Sequence, residues 1–405
     1  MSAQALRCRL CETEYPTIAS GACARCFGPL DPVYDWEAVA REATRERIER
    51  GPRSLWRYAP LLPVPAPADA AGGPGWTPLV AAPRLARELG VGEVFLKLDH
   101  CNPTHSFKDR VVAVAAAKAE ELGTDTLACA STGNLGNAVA ARAAALGMRS
   151  VVLYPATVEP EKLRATAVYG GAMVAVRGSY DVCSRLVVEL AGELDWAFVN
   201  VNLRAYYAEG SKTLAFEIAE QLGWKLPDAV VAPVASGSLY TKLWQGFGQL
   251  ERVGLVDGPL PRLHGGQAEG CSPVAAAFAA ERAVSPVRPA TVAQSLAIGA
   301  PADGDLAVAT ARASGGAIHA VPEEDVGANM ALLASTSGVF GETAAGVALG
   351  ALRAAVGRGD LGPADRVVVL VTGTGLKTPA ATAVEVRVEI APDVDVLLEE
   401  LGVAA

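Results

Sequence analysis

Lys108 closes the run Asn102-Pro-Thr-His-Ser-Phe-Lys108 and opens an Ala- and Val-rich stretch, 108–122, that reads as a helix. The helix macrodipole disfavours a cation at an N-terminus, so an amine there sheds its proton more readily and can attack a carbonyl as a Schiff-base lysine. A solvent-facing lysine is the plainer alternative, and the segment alone leaves both open. Three more junctions place small polar residues between an apolar run and a helix. Ser131-Thr-Gly-Asn-Leu-Gly-Asn137 exposes backbone amides suited to a carboxylate, or is an ordinary N-capped turn. Ala235-Ser-Gly-Ser-Leu239 could cradle a phosphate through amides and two hydroxyls. Thr372-Gly-Thr-Gly375 ends an apolar run but lacks the third glycine and downstream acid of the dinucleotide fingerprint.

The cysteines carry a separate signal. Cys8-x-x-Cys11 and Cys23-x-x-Cys26 are two knuckle-like pairs whose spacing can bring four thiolates to the corners of one tetrahedron. Four sulfurs would leave no open position for water, so a zinc held there is structural. Cys101, Cys129, Cys183 and Cys271 are scattered, and a chain of this size needs no disulfide staple.

These loops need a frame that presents them together. Strand-like runs at 94–98, 127–130, 150–153, 172–176, 229–233 and 367–371 alternate with helical stretches at 108–122, 137–146, 161–168 and 211–222. That alternation predicts an α/β fold with parallel strands and crossover helices, and such sheets bind ligands at the carboxyl ends of their strands. Before it, Trp36, Val39, Ala40, Ala43 and Ile48 lie among charges in 35–50, predicting one exposed amphipathic linker helix. The segment 59–78, with six prolines, predicts an extended connection without a packed element.

At 405 residues the chain exceeds the ~250–300 at which single cores stop growing, so more than one lobe is expected. Lys plus Arg number 35 against 44 Asp plus Glu, a net charge of −9, which argues against a nucleic-acid partner. Apolar runs fall well short of the ~20 residues a membrane span requires. The N-terminus, with Arg7 and Arg9 before the cysteines, does not read as a secretory signal, and the cytoplasm is the expected compartment.

Taken in order, Trp76-Thr-Pro-Leu79, Asn102-Pro-Thr-His-Ser-Phe-Lys108-Asp-Arg110, Ser131-Thr-Gly-Asn134, Glu209-Gly-Ser-Lys-Thr213, Gly265-Gly-Gln267 and Thr372-Gly-Thr-Gly-Leu-Lys377 resemble threonine synthase, a fold-type II pyridoxal-phosphate enzyme. The resemblance runs from about residue 72 to the C-terminus. It implies two doubly wound parallel-sheet lobes of tryptophan-synthase-β type behind a small zinc ribbon. The ribbon would span 1–33, a linker helix and the start of the large domain 34–98, a smaller α/β domain with the Ser-Thr-Gly-Asn loop 99–202, and the rest of the large domain 203–405. It also implies that Lys108 holds the cofactor and is the catalytic lysine, that Asn134 bonds the phenolic oxygen, and that Thr372 meets the pyridine nitrogen. A hydroxyl there cannot keep that nitrogen protonated as a carboxylate would, which favours controlled elimination and replacement over racemisation or transamination. Ala235, Ser236, Gly237, Ser238 and Leu239 would cradle the cofactor phosphate, and Ser131, Thr132 and Gly133 would lie at the substrate carboxylate.

Three positions depart from the family pattern. The phosphate loop is poorer in Gly and Asn than usual. His105 replaces the usual Gly before Ser-Phe-Lys, as an added proton carrier or a pocket wall. Tyr207 stands where many members have the arginine that binds the substrate phosphate, leaving Arg204 and Lys212 as candidate cations. The leading expectation is conversion of O-phospho-L-homoserine and water to L-threonine and phosphate by a homodimer. A β-replacement on O-phosphoserine or a related activated amino acid, in the manner of cysteate synthase, is the alternative that Tyr207 favours. A non-catalytic zinc-ribbon interaction protein on an enzyme scaffold is the reading from another class, and the joint presence of Lys108, Asn134 and Thr372 speaks against it.

Overall fold

In the computed structural model, which describes residues 3–400 and 402 apart from 19, 132, 157, 159, 179 and 383–392, the apolar runs pair as parallel strands. The larger sheet has the order Ile318–Val321, Arg262–Ala268, Ala229–Pro233, Arg366–Val371, Glu93–Leu98 and Leu79–Ala81, all parallel except the last strand. The smaller sheet runs Ala172–Val176, Arg149–Pro155, Thr126–Ala130 and Ala197–Phe198, all parallel. Strands buried on both faces need no polar alternation, which is why Val367, Val368, Val369, Leu370 and Val371 are fully buried in succession.

The helix Lys108–Glu121 connects the two sheets. It is buried from Asp109 to Ala119, and this explains its sequence: a helix covered on all sides has no polar face to display. Its start is fixed by buried charges. Arg110 reaches Asp99 at 2.7 Å and Glu217 at 2.8 Å, Glu217 also pairs with Lys97 at 2.6 Å, and its carboxylate accepts the amides of Trp76 and Thr77. One carboxylate thus ties the Trp76 loop, the strand Glu93–Leu98 and the helix together. Burial alone would raise the Glu217 pKa, but Arg110 and Lys97 outweigh it and hold it at about 2.

Two expectations about the N-terminal connection are corrected. The amphipathic stretch 35–50 is two helices, Trp36–Glu42 and Arg45–Glu49, because Thr44 caps the second by accepting from the Arg47 amide. The proline-rich segment carries packed structure: the 3-10 turn Leu55–Leu61 contains Pro60, and Leu61, Leu62 and Val64 are buried. Short 3-10 turns tolerate proline, and of the apolar residues between the prolines Leu62 and Val64 join the cluster that contains Leu6 and Leu30, while Leu61 packs with Tyr34 and Val39.

That module is a three-stranded antiparallel sheet, Glu14–Tyr15, Ala5–Cys8 and Leu30–Val33. Leu6, Cys8, Cys23 and Leu30 belong to the same apolar cluster as the helix Lys108–Glu121. Asp31 accepts from Lys242 at 2.8 Å, and Tyr34 donates to Glu209. The module is therefore built into the body. Among the described residues no helix is long and apolar enough to cross a membrane.

Candidate active site

The four loops singled out in the sequence leave the carboxyl ends of their strands. Asn102 to Phe107 follows Glu93–Leu98, Ser131 to Gly133 follows Thr126–Ala130, Val234 to Gly237 follows Ala229–Pro233, and Thr372 follows Arg366–Val371. In the larger sheet, Arg366–Val371 lies between Ala229–Pro233 and Glu93–Leu98, the point where the chain order reverses and a crevice opens.

Backbone bonds stitch the Lys108 loop to the Thr372 loop. Phe107 donates its amide to the Thr372 carbonyl at 2.8 Å, Thr374 donates to the His105 carbonyl at 3.2 Å, and Ser106 bridges to Gly373. His105 is exposed, with φ of 59°. A residue with a Cβ pays for that left-handed conformation, which gives the usual glycine there a backbone reason. Asp109 fastens the other end, accepting the Thr104 amide at 2.8 Å and hydroxyl at 2.9 Å, and burial raises its carboxyl to about 6.

At the centre is the Lys108 amine. Its one hydrogen bond among the described residues joins it to the Tyr207 hydroxyl at 3.2 Å. Burial pulls its pKa below the ordinary lysine value, opposed by Tyr180 and Glu342. Burial pushes the Tyr207 phenol upward, so it stays protonated. An amine without a carboxylate partner, next to a neutral phenol, is a nucleophile in waiting.

Asn134 begins the helix Asn134–Leu146. Its amide nitrogen faces both Glu342 oxygens at 3.1 and 3.2 Å, and its oxygen accepts from Lys377 at 2.7 Å. Lys377 also donates to the Thr104 carbonyl at 2.7 Å. Burial raises the Glu342 carboxyl, against the pull of Asn134, Lys377 and Lys108, and burial lowers Lys377. The sequence reading missed Glu342 and gave Lys377 no role, because their contacts with Asn134 span 208 and 243 residues. The Ser131 hydroxyl accepts the amides of Gly133 at 3.1 Å and Gly136 at 2.9 Å, acting as a helix cap. The amides of Asn134 and Leu135 keep no partner within the helix and remain for an anion. Thr132 lies outside the described residues.

A second helix start is better prepared for a phosphate. Gly237, with φ of 92°, precedes the helix Ser238–Arg252, and the Ser236 hydroxyl accepts the Ser238 amide at a long 3.5 Å, leaving the amides of Leu239 and Tyr240 without a side-chain cap. A Cβ at Gly237 would meet the Asp303 carbonyl at 2.6 Å, so both the turn and the close approach require glycine. The orphan amides of that turn, with the hydroxyls of Ser236 and Ser238 beside them and Ala235 and Leu239 flanking, suit a dianion. The Thr372 side chain is buried, and its hydroxyl has no hydrogen-bond partner among the described residues. An amine without a carboxylate partner, a helix start with amides to spare and the unspent hydroxyl of the buried Thr372 fit the polar groups of pyridoxal phosphate.

The two candidate substrate cations part company. Arg204 pairs with Asp303 at 2.6 Å, and the Asp303 amide bonds the Ser236 carbonyl, so this guanidinium stands against the phosphate loop. Lys212 is corrected. It is fully buried and spends its three donors on Glu209, the Tyr34 hydroxyl at 3.2 Å and the Leu61 carbonyl at 3.1 Å, leaving none for a substrate phosphate. Its motif is structural: Glu209 gathers Lys212, Lys242 and Tyr34, and Gly210 lets that segment press on the backbone of Arg110 and Val111.

In the N-terminal module the sulfurs of Cys8, Cys11, Cys23 and Cys26 all lie within 4.8 Å of one another, with separations of 3.4 Å for Cys8 to Cys26 and 3.5 Å for Cys11 to Cys23. Tetrahedral zinc with bonds of ~2.3 Å sets its sulfurs ~3.8 Å apart, so a small outward relaxation would admit the ion.

A family model described as pyridoxal-phosphate dependent enzyme matches residues 70–373. The threonine synthase of Methanocaldococcus jannaschii is 34% identical over 397 residues, covering 96% of this chain and 98% of the relative. That of Methanosarcina acetivorans is 35% identical, covering 92% of each. Among solved structures, the processed form of threonine deaminase isoform 2 from Solanum lycopersicum superposes with a TM-score of 0.63 at 20% identity, over 74% of this chain and 79% of that one. Maize serine racemase gives 0.61 at 17% identity, over 80% and 92%. These likenesses establish the fold as type II, two parallel-sheet lobes enclosing a crevice.

Proposed function

Since the chain belongs to the pyridoxal-phosphate dependent enzymes, among the threonine synthases, we propose that it converts O-phospho-L-homoserine and water to L-threonine and phosphate. The observation that carries this reading is the Lys108 amine, desolvated, unpaired by any carboxylate among the described residues and hydrogen-bonded to the Tyr207 hydroxyl. Pyridoxal phosphate supplies the electron sink that weakens the C–H bonds next to the amino group.

The residues of this chain do the rest. Lys108 would hold the cofactor and, when released by substrate, take the Cα proton and move protons at Cβ and Cγ. Phosphate leaves from Cγ and water adds at Cβ, which balances the reaction. The Gly237 turn would hold the cofactor phosphate, and Thr372 would offer a hydroxyl to the pyridine nitrogen. The start of the helix Asn134–Leu146 would hold the substrate carboxylate, and Arg204 is the cation placed for the leaving phosphate. Asn134 would meet the phenolic oxygen by giving up part of its bond to Glu342. The four cysteines of the N-terminal module would hold one structural zinc.

Tyr207 supports a second reading. A phenol facing the lysine leaves no guanidinium at that position, which suits a shorter substrate, such as O-phosphoserine in a β-replacement. The deciding experiment supplies purified holoenzyme with each phosphate ester and measures phosphate and amino-acid products. Threonine and phosphate in equal amounts from O-phosphohomoserine support the first reading; turnover of O-phosphoserine alone would replace it with the second.

A further inference from the structure

On the larger sheet, away from the carboxyl-end loops, two histidines face each other. His264 is the third residue of the strand Arg262–Ala268, and His319 the second of the neighbouring edge strand Ile318–Val321. The register pairs Gly266 with His319, so His264 and His319 are diagonal neighbours on one face. His264 is 1% exposed and His319 6%. Their rings are nearly parallel, at 15°, and His264 Nδ1 lies 3.3 Å from His319 Nε2. Asp360, in the turn after the helix Thr343–Gly357, completes the group: one nitrogen from each ring and one carboxylate oxygen all lie within 4.8 Å of one another.

This cluster is polar, buried and incompletely satisfied. Asp360 Oδ2 is buried without a hydrogen-bond partner, held only by a 3.3 Å ion pair with the exposed Arg358. Native structures rarely leave a buried carboxylate oxygen so loosely held. The separation of the nitrogens also has a specific meaning. Metal–imidazole bonds of ~2.0–2.1 Å at a tetrahedral angle place two nitrogens ~3.3–3.4 Å apart, and this pair already stands at that distance. Two imidazoles and a carboxylate suit a borderline ion such as zinc, whereas calcium and magnesium prefer all-oxygen shells and copper(I) prefers sulfur. The nearest opposing charge is Arg358, whose Nε is 3.3 Å from Asp360 Oδ2 on a side chain 66% exposed and free to turn outward. Arg262 is held aside by Asp365 and by the Asp360 carbonyl.

We propose that His264, His319 and Asp360 bind one zinc-class divalent ion, with water in the fourth position, at a site separate from the cysteine cluster and from Lys108. The ion clips the turn after the helix Thr343–Gly357 onto the two outer strands of the larger sheet. It closes an edge that otherwise ends on a four-residue strand.

Cobalt(II) titrated into chelator-treated holoenzyme tests this, because thiolate sites show near-ultraviolet charge transfer and nitrogen–oxygen sites do not. The expected wild-type result includes an equivalent that adds visible ligand-field absorption without charge transfer. His319→Gln and Asp360→Asn should each weaken that equivalent by ~10²-fold or more while leaving any charge-transfer band and the cofactor spectrum unchanged. Asp360→Asn decides the matter where His319→Gln folds poorly, since it leaves no hole in the core. Wild type without a charge-transfer-free equivalent, or an equivalent that both variants keep at wild-type affinity, overturns the proposal.

Discussion

Tyr207 and Lys108 come from helices 99 positions apart in the chain, and their side chains meet at 3.2 Å, phenol to amine. The pairing places a neutral hydroxyl where a second cation would raise the cost of protonating the lysine. We expect Lys108→Ala to abolish both turnover and the absorbance band of lysine-bound cofactor, since no other side chain at that position forms the imine. Tyr207→Phe should keep the band and lower kcat by ~10-fold, with a shift in its pH profile. A band that survives Lys108→Ala would move the cofactor lysine elsewhere.

Thr372 is expected to separate two chemistries. Replacement by Ala should weaken cofactor binding and slow turnover, whereas Asp should hold the pyridine nitrogen protonated and admit transamination as a side reaction. Product analysis with both variants checks this; identical product ratios would place Thr372 out of contact with the ring.

For the substrate phosphate, Arg204→Ala should lower kcat/KM by ~10²-fold with the cofactor spectrum intact, as loss of one contact to a departing oxyanion does. Near wild-type rates would transfer the role to Lys377, which donates to the Asn134 side-chain oxygen at 2.7 Å. Lys212→Ala should act on stability instead, at less than the ~3–5 kcal/mol of a fully stranded buried charge, because Lys242 and Tyr34 still hold Glu209.

Glu217 should make the body sensitive to acid. Its carboxyl titrates at about 2 in the fold against 4.5 as a free group, so its stabilisation is complete above 4.5 and is lost as pH falls from there through about 2. Glu217→Gln should reduce neutral-pH stability by ~3–5 kcal/mol and flatten that acid dependence, as measured by denaturant unfolding across the window. An unchanged slope would assign the acid sensitivity to other carboxylates.

One zinc should co-purify with the cysteine cluster, and Cys8→Ser should lose it. Because Leu6 and Leu30 pack in the same cluster as the helix Lys108–Glu121, the loss should also lower the melting temperature of the body. Metal analysis finding no zinc in fresh protein would end the ribbon reading.

Much of the site was legible because its residues sit in short loops whose type follows from local chemistry. Lys108, Ser131, Gly237 and Thr372 each follow an apolar run or open a helix, and parallel-sheet geometry gathers such loops at one end. Glu342 was not legible, since Glu342-Thr-Ala-Ala resembles any helix start and meets Asn134 only through the fold. Lys212 misled for the opposite reason. Its motif matched, but whether a lysine faces a ligand or an internal carboxylate depends on Tyr34 and Leu61, more than 150 positions away. The prolines of 59–78 obscured Leu61, Leu62 and Val64 because breakers dominate a local reading while burial is decided by what packs above.

The docking of the N-terminal module also constrains what evolution can do with it. Asp31 and Glu209 supply two negative charges to a cluster whose positive charges are the buried Lys212 and Lys242 and, from the module itself, Arg9 at 3.4 Å from Asp31. Half of that negative charge belongs to the module. A lineage that discarded the module would lose Asp31 and Arg9 together and leave Glu209 as the one carboxylate for two buried lysines, so loss of the segment and replacement of Lys242, the lysine that Asp31 holds, should be found together.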